Sequence, residues 1–245
     1  MYILQQDHIS GNELSILVGH WTWLCMLRRP VLSIMNAVYH FIQQHRYKTG
    51  NMTSTVRREL LQLINIAPLI CTDLTSRYSD MLFATDASMS GLGITYISME
   101  SIEAKQLLQI IYKQTLIKLH NNRDSDVQHI INNIKHEQWK TIVSRSWKYN
   151  TESTHINNLE LKAVLTLLRR WLTQPNLYKT RNCILVDNTT AYYCLRKGRS
   201  SSVDLRHVMC QLSAMMLASG IIIHPVWVES ENNPADHASR YFIHE

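Results

Sequence analysis

Four acidic residues stand in settings that would bring their carboxylates to one point. They are Asp86 in Leu82-Phe-Ala-Thr-Asp-Ala-Ser88, Glu160 in Ile156-Asn-Asn-Leu-Glu-Leu-Lys162, Asp187 in Ile184-Leu-Val-Asp-Asn188, and Asp236 in Asn233-Pro-Ala-Asp-His-Ala-Ser-Arg240. Asp86 and Asp187 follow apolar strands, Glu160 lies on the first turn of a helix, and Asp236 on a late helix. Any one of them alone reads as a solvated surface charge. Together they form an all-oxygen donor set, which suits hard cations such as Mg²⁺ or Mn²⁺. Two such ions roughly 4 Å apart can clamp the attacking and leaving oxygens of an in-line phosphoryl displacement.

The elements that must position these acids are legible as pattern. Residues 12–70 read as three helices, with breaks at Arg29-Pro30 and at the polar stretch 48–54; proline ends a helix by lacking an amide proton and constraining its predecessor. From residue 80 the period changes to two. A strand runs to Ser88, turns through Met89-Ser-Gly-Leu-Gly93 and returns as a second strand. Residues 100–140 carry helical spacing in two blocks and read as an inserted helical hairpin. The order then continues as a strand at 141–148, a helix capped by Asn157 or Asn158 and running to 172, and a strand at 183–186. Helices at 189–195 and 203–218, a strand at 221–228 and a helix from about Pro234 complete it. The fold class expected is α/β: a mixed sheet with flanking helices. The domains expected are a helical unit over 1–72 and a second over 78–245 that contains the insertion.

Composition sets limits. The chain has 245 residues, 45% apolar and 18% charged, enough for a substantial core and too little charge for widespread disorder. Its net charge of +6 and pI near 9.1 have the sign a nucleic-acid partner favours. The five cysteines show no C-x-x-C spacing and the twelve histidines no zinc-finger spacing. Reduced thiols and no zinc are the expectation. No apolar run reaches membrane-spanning length and the start lacks a signal-peptide pattern, so an intracellular protein with no membrane partner is expected.

The wording of the motifs narrows this. Thr85-Asp-Ala-Ser88 with Gly91-Leu-Gly93, Ser146-Trp147, His155-Ile-Asn-Asn-Leu-Glu-Leu-Lys-Ala-Val164, Val186-Asp-Asn-Thr-Thr190 and Asn232-Asn-Pro-Ala-Asp-His-Ala-Ser-Arg240 occur in that order. Over residues 80–242 the set resembles the ribonuclease H of reverse-transcribing elements, most closely tyrosine-recombinase (DIRS-type) retroelements, with long-terminal-repeat elements and pararetroviruses next. Leu17-Val-Gly-His-Trp-Thr-Trp-Leu24 and Arg28-Arg-Pro30 resemble, more weakly, the thumb or connection region after the polymerase palm. No Tyr-x-Asp-Asp sequence occurs, so DNA synthesis by this chain alone is not expected.

The resemblance implies a ribonuclease H-like five-stranded sheet. It implies that Asp86, Glu160, Asp187 and Asp236 hold two Mg²⁺ or Mn²⁺ ions and hydrolyse the RNA strand of RNA/DNA hybrids, with Glu160 near the ribose 2′-hydroxyl. Ser88 and Asn188 would position substrate. The basic candidates for nucleic-acid contact are Arg196, Lys197 and Arg199 in Leu195-Arg-Lys-Gly-Arg-Ser-Ser-Ser202, with Arg240 weaker. Trp21, Trp23, Trp147, Trp171 and Trp227 are expected to pack rather than stack on bases.

Two departures stand out. The histidine that cellular and retroviral relatives carry before the last acid is missing from Trp227-Val-Glu-Ser-Glu-Asn-Asn-Pro-Ala-Asp236, and the insertion lengthens the interval from Asp86 to Glu160. Expected partners are an RNA/DNA hybrid and a reverse-transcriptase palm/fingers polypeptide or a larger assembly. The alternative function is a domesticated scaffold subunit of a ribonucleoprotein or polymerase assembly, weak or inactive in catalysis. An integrase-like nuclease on the same fold is disfavoured by the D-E-D-D order of the acids.

Overall fold

A computed structural model of the chain describes residues 2–98, 107, 109–110, 134 and 138–242. The helical hairpin expected at 100–140, with Lys105, Lys113, Lys118 and Arg123, lies almost wholly outside the described residues. The chain divides into two compact units, one of residues 1–74 with 197–218, the other of 75–196 with 219–245. Among the described residues no helix is long and apolar enough to cross a membrane.

In the first unit a short strand β1 (His8–Ser10) pairs antiparallel with β2 (Thr49–Asn51). Helix α1 (Gly11–Cys25) starts with a capping box: Ser10 Oγ accepts from the Glu13 amide and the Glu13 carboxylate accepts from the Ser10 amide. A 3₁₀ segment, Met26–Ser33, absorbs Pro30. Helix α2 (Asn36–Gln44) therefore starts later than the periodicity alone suggests. Helix α3 (Ser54–Ile66) is capped by Thr53. Leu14, Val18, Val31, Met35, Val38, Val56, Leu60 and Leu63 form the core. Trp21 packs against it, but Trp23 is 81% exposed, against the expectation that it is buried.

In the second unit β3 (Tyr78–Ala87), β4 (Gly91–Ser98) and β5 (Lys140–Ser146) form an antiparallel run. Along the chain come helix α4 (Ile156–Trp171), β6 (Arg181–Val186) parallel to β3, helix α5 (Thr189–Lys197), helix α6 (Val203–Ser219), which belongs mostly to the first unit, and β7 (Ile222–Trp227) parallel to β6. Helix α7 (Asp236–Arg240) ends the described chain, beginning two residues later than Pro234 because a 3₁₀ turn, Ser230–Asn232, precedes it.

The result is a mixed five-stranded sheet, β5-β4-β3-β6-β7, flanked by helices. All six residues of β6 are buried, as a parallel strand covered on both faces requires. Pro225 is tolerated because β7 lies at the sheet edge. Alternation sends Leu82 and Ala84 to one face of β3. Phe83 goes to the other, where it meets Trp171 of α4 edge-on, 4.8 Å between ring centres.

Except for its last residue, α6 groups with the first unit, across the sequence-based boundary of 72/78. Arg28 Nη2 donates to Met216 O at 2.6 Å and Ser33 Oγ to Ser213 Oγ at 2.9 Å. The lead-in to α6 contains Gly198 at φ +70°, where a Cβ would lie 2.3 Å from Arg29 O. Only glycine fits that turn.

Candidate metal centre

Parallel pairing of β3 and β6 sets Ala84 opposite Leu185. Two residues further along each strand come Asp86 and Asp187, so both carboxylates leave the sheet at the same edge, where ligands bind in open α/β sheets. Helix α4 packs across β3 and β4 and brings Glu160 to that edge. One carboxylate oxygen from each of Asp86, Glu160 and Asp187 lies within 4.8 Å of the others. Among the described residues no other group of three His, Cys, Asp or Glu side chains meets in this way.

Asp86 and Glu160 are each 4% exposed. Burial pushes the Asp86 carboxyl up to about 7; Asp187 and Asp236 add repulsion, while a hydrogen bond with Ser239 and the charge of Arg240 oppose it. Glu160 is pushed up to about 9, first by burial and then by Asp86 and Asp187, against a hydrogen bond from the Ala87 amide. Buried carboxylates normally gain partners for both oxygens. Here Asp86 Oδ2 and Glu160 Oε2 are buried and have none among the described residues. Three carboxylates crowded in this way could hold a metal ion.

The surrounding bonds hold the three elements in register. His155, not Asn157 or Asn158, caps α4: its Nδ1 accepts from the Asn157 amide at 3.2 Å. Asn157 is thereby free to bond Asn188, whose Nδ2 donates to Asn157 Oδ1 at 2.9 Å while its own Oδ1 accepts from the Ala191 amide at 2.9 Å. Asn188 thus starts α5 and ties the helix of Glu160 to the residue after Asp187. Trp227 Nε1 donates to Asp187 O at 3.0 Å, fixing that segment to β7.

The fourth acid depends on a close approach. A Cβ on Gly93 would lie 2.4 Å from Ala235 O and 2.6 Å from Ser239 N, and one on Gly91 would strike the Phe242 ring. The Gly91-Leu-Gly93 motif is therefore the seat of α7 on β4. Asn233 Nδ2 donates to Thr85 O at 3.2 Å and Asn233 Oδ1 accepts from the Ala235 amide at 3.1 Å, bolting the start of α7 to the strand of Asp86. Ser88 Oγ donates to Ser239 O at 2.8 Å, and Ser144 Oγ to Ala238 O at 2.8 Å. Even so, Asp236 stands outside the group of three. Its Oδ1 accepts from Arg240 Nε at 2.9 Å and from Nη2 at 2.8 Å.

An open cleft of about 360 Å³ is lined by Asp86, Glu160 and Asp187 together with Ser88, Met89, Ile156, Asn188, Ser230 and Arg240. Ser88, Asn188 and Arg240 thus share the cleft with the acids. The other basic candidates do not line it. Arg196 Nη1 donates to Tyr192 OH at 2.9 Å within α5. Lys197 and Arg199 group with the first unit, where Arg199 lies over the Tyr39 ring at 5.0 Å. The sequence pointed to Asn157 only as a helix cap and to no role for Asn233, although both lie inside quoted motifs; an asparagine three residues before an acid was the available signal.

No protein-family model matches the chain, and no curated protein matches it.

Proposed function

We propose that the second unit is a ribonuclease H-like, metal-dependent endonuclease that hydrolyses the RNA strand of RNA/DNA hybrids. The observation that carries this reading is the meeting of Asp86, Glu160 and Asp187 at the edge of a sheet ordered β5-β4-β3-β6-β7, each acid arriving from a different element. The ordered motifs of the sequence support the same class.

Asp86, Glu160 and Asp187 would hold a divalent ion. Such an ion supplies charge to a phosphodiester oxygen and acidifies bound water. The chain's own contribution is the rest. Burial of Asp86 and Glu160 keeps their carboxylates poorly hydrated, and because burial and the neighbouring acids raise the Glu160 pKa to about 9, holding a cation there would be coupled to loss of a proton. Ser88 and Asn188 line the cleft that a strand would occupy, and their bonds to Ser239 and Asn157 fix the segments beside Asp86 and Asp187. The first unit is the thumb- or connection-like part of this reading, and a polymerase palm polypeptide or a larger assembly is its partner. An intracellular setting fits five cysteines that form no disulfide with one another.

The test is cleavage of a labelled hybrid in Mg²⁺ and Mn²⁺. Wild type cuts the RNA strand and leaves duplex DNA intact; Asp86→Asn and Asp187→Asn do not cut. Equal inertness of wild type and mutants over a range of metals and hybrids would reject catalysis and favour a scaffold.

A further inference from the structure

Arg240 occupies an unusual place. It lines the same cleft as the three converging acids, yet its Nε and Nη2 both bond one oxygen of Asp236. The two residues are four apart on α7, the spacing that puts side chains on one helical face. Their side chains are 58% and 35% exposed, so the pair is of the solvent-screened kind that contributes little stability and is readily exchanged. The guanidinium also acts on Asp86, lowering the cost of its charge.

We propose that Arg240 is a built-in counter-cation: it neutralises Asp236, so the resting cleft holds one divalent ion tightly, and a second ion taken by Asp236 competes with the guanidinium. This rests on the metal-dependent reading of the cleft and adds how the number of bound ions is controlled. Geometry carries it. The three carboxylates meet within 4.8 Å, and Asp86 Oδ2 and Glu160 Oε2 have no hydrogen-bond partner among the described residues, so the first ion has no bonded cationic side chain to displace. Asp236 is the only acid of the four whose bonded partner is a cation on the cleft wall. A guanidinium donates along fixed directions and matches phosphate as well as carboxylate. Once released from Asp236, it remains on the cleft wall as a donor for a substrate phosphate.

The experiment is calorimetric titration of the full chain with Mn²⁺, without nucleic acid. Wild type binds one ion tightly and a second at least tenfold more weakly. Arg240→Gln tightens the second ion by about tenfold, which is about 1.4 kcal/mol, and changes the first by less than threefold. Asp236→Asn abolishes the second event and keeps the first. In Asp236→Asn/Arg240→Gln the arginine change has no effect on ion binding, because its target is gone. Arg240→Lys, which keeps the charge without the fork, falls between wild type and Arg240→Gln.

Two tight ions in wild type, an unchanged or weakened second ion in Arg240→Gln, or an equal tightening with Asp236 already removed would each overturn the proposal. Absence of Mn²⁺ binding in wild type is a separate failure. It would remove the metal-dependent reading and this inference with it.

Discussion

Two glutamates on helices, one in each unit, make the chemistry of the cleft plain by contrast. Glu59 on α3 is half-buried, and its two oxygens accept from the Ala37 and Val38 amides at 3.0 and 2.9 Å, at the start of α2. Burial raises its pKa, but those two amides, with Arg206 and Arg58, oppose the shift. Glu160 on α4 is more deeply buried, has one amide, faces two other acids and keeps one oxygen open. The first is an acid that completes a fold, since exposed helix-start amides favour a carboxylate. The second is an acid that the fold leaves incomplete. Buried, repelled and unsatisfied groups collect where a ligand finishes the bonding.

The largest way to break the comparison is catalytic. Asp187→Asn is expected to lower hybrid cleavage on the order of 10³-fold, about 4 kcal/mol of transition-state stabilisation. Glu59→Gln should leave cleavage within about twofold, and single-turnover rates at saturating Mg²⁺ measure both. Next is Gly93→Ala. A Cβ cannot enter between β4 and α7, so the variant should lose about 3 kcal/mol by chemical denaturation and release Asp236 from its place.

Smaller, but sharper in sign, is the effect of neutralising each glutamate in metal-free protein at pH 8. Glu160→Gln should stabilise by about 2 kcal/mol, because the folded wild type must hold a proton on Glu160 that the unfolded chain has released at this pH. Glu59→Gln should destabilise by about 1 kcal/mol, because one of two helix-start amides loses its acceptor.

The pH dependence follows from the same site. Asp86 and Glu160 have folded-state pKa values of about 7 and about 9, above their ordinary values of 3.8 and 4.5. Below pH 4 both states hold the protons and the two groups cost nothing. As pH rises the unfolded chain releases them first, so metal-free stability falls from about pH 4 to about pH 9 and no further. Stabilisation by Mg²⁺ should grow over the upper part of that range, as melting with and without the ion would record. The smallest expected effect is at a cap far simpler than the site: Ser10→Ala should cost about 1 kcal/mol and leave Mg²⁺ binding untouched.

Much of this arrangement was legible in the chain. Alternation marked β3 through Leu82, Phe83 and Ala84, and Asp86 and Asp187 announced themselves by following apolar strands. What escaped was non-local. The strands His8–Ser10 and Thr49–Asn51 are three residues each and too short to show a period. Helix α6 has apolar residues on most sides, so its spacing gave no hint that it belongs with the first unit. His155 took the cap expected of Asn157 or Asn158, freeing Asn157 for its bond to Asn188. Trp23 looked like core by residue type, but α1 turns Leu14 and Val18 inward and leaves that ring outside. The Asp236–Arg240 pair was readable from its spacing of four; what the sequence lacked was the wall of the cleft on which Arg240 sits.

The central claim is that Glu160 is held protonated and open for a divalent cation. It is tested most directly by counting protons released when Mg²⁺ binds at pH 8, in buffers of different ionisation enthalpy. The account predicts saturable binding with about one proton released from wild type, and weaker binding with almost none from Glu160→Gln. Binding with no proton release from wild type, or no binding at all, would contradict it.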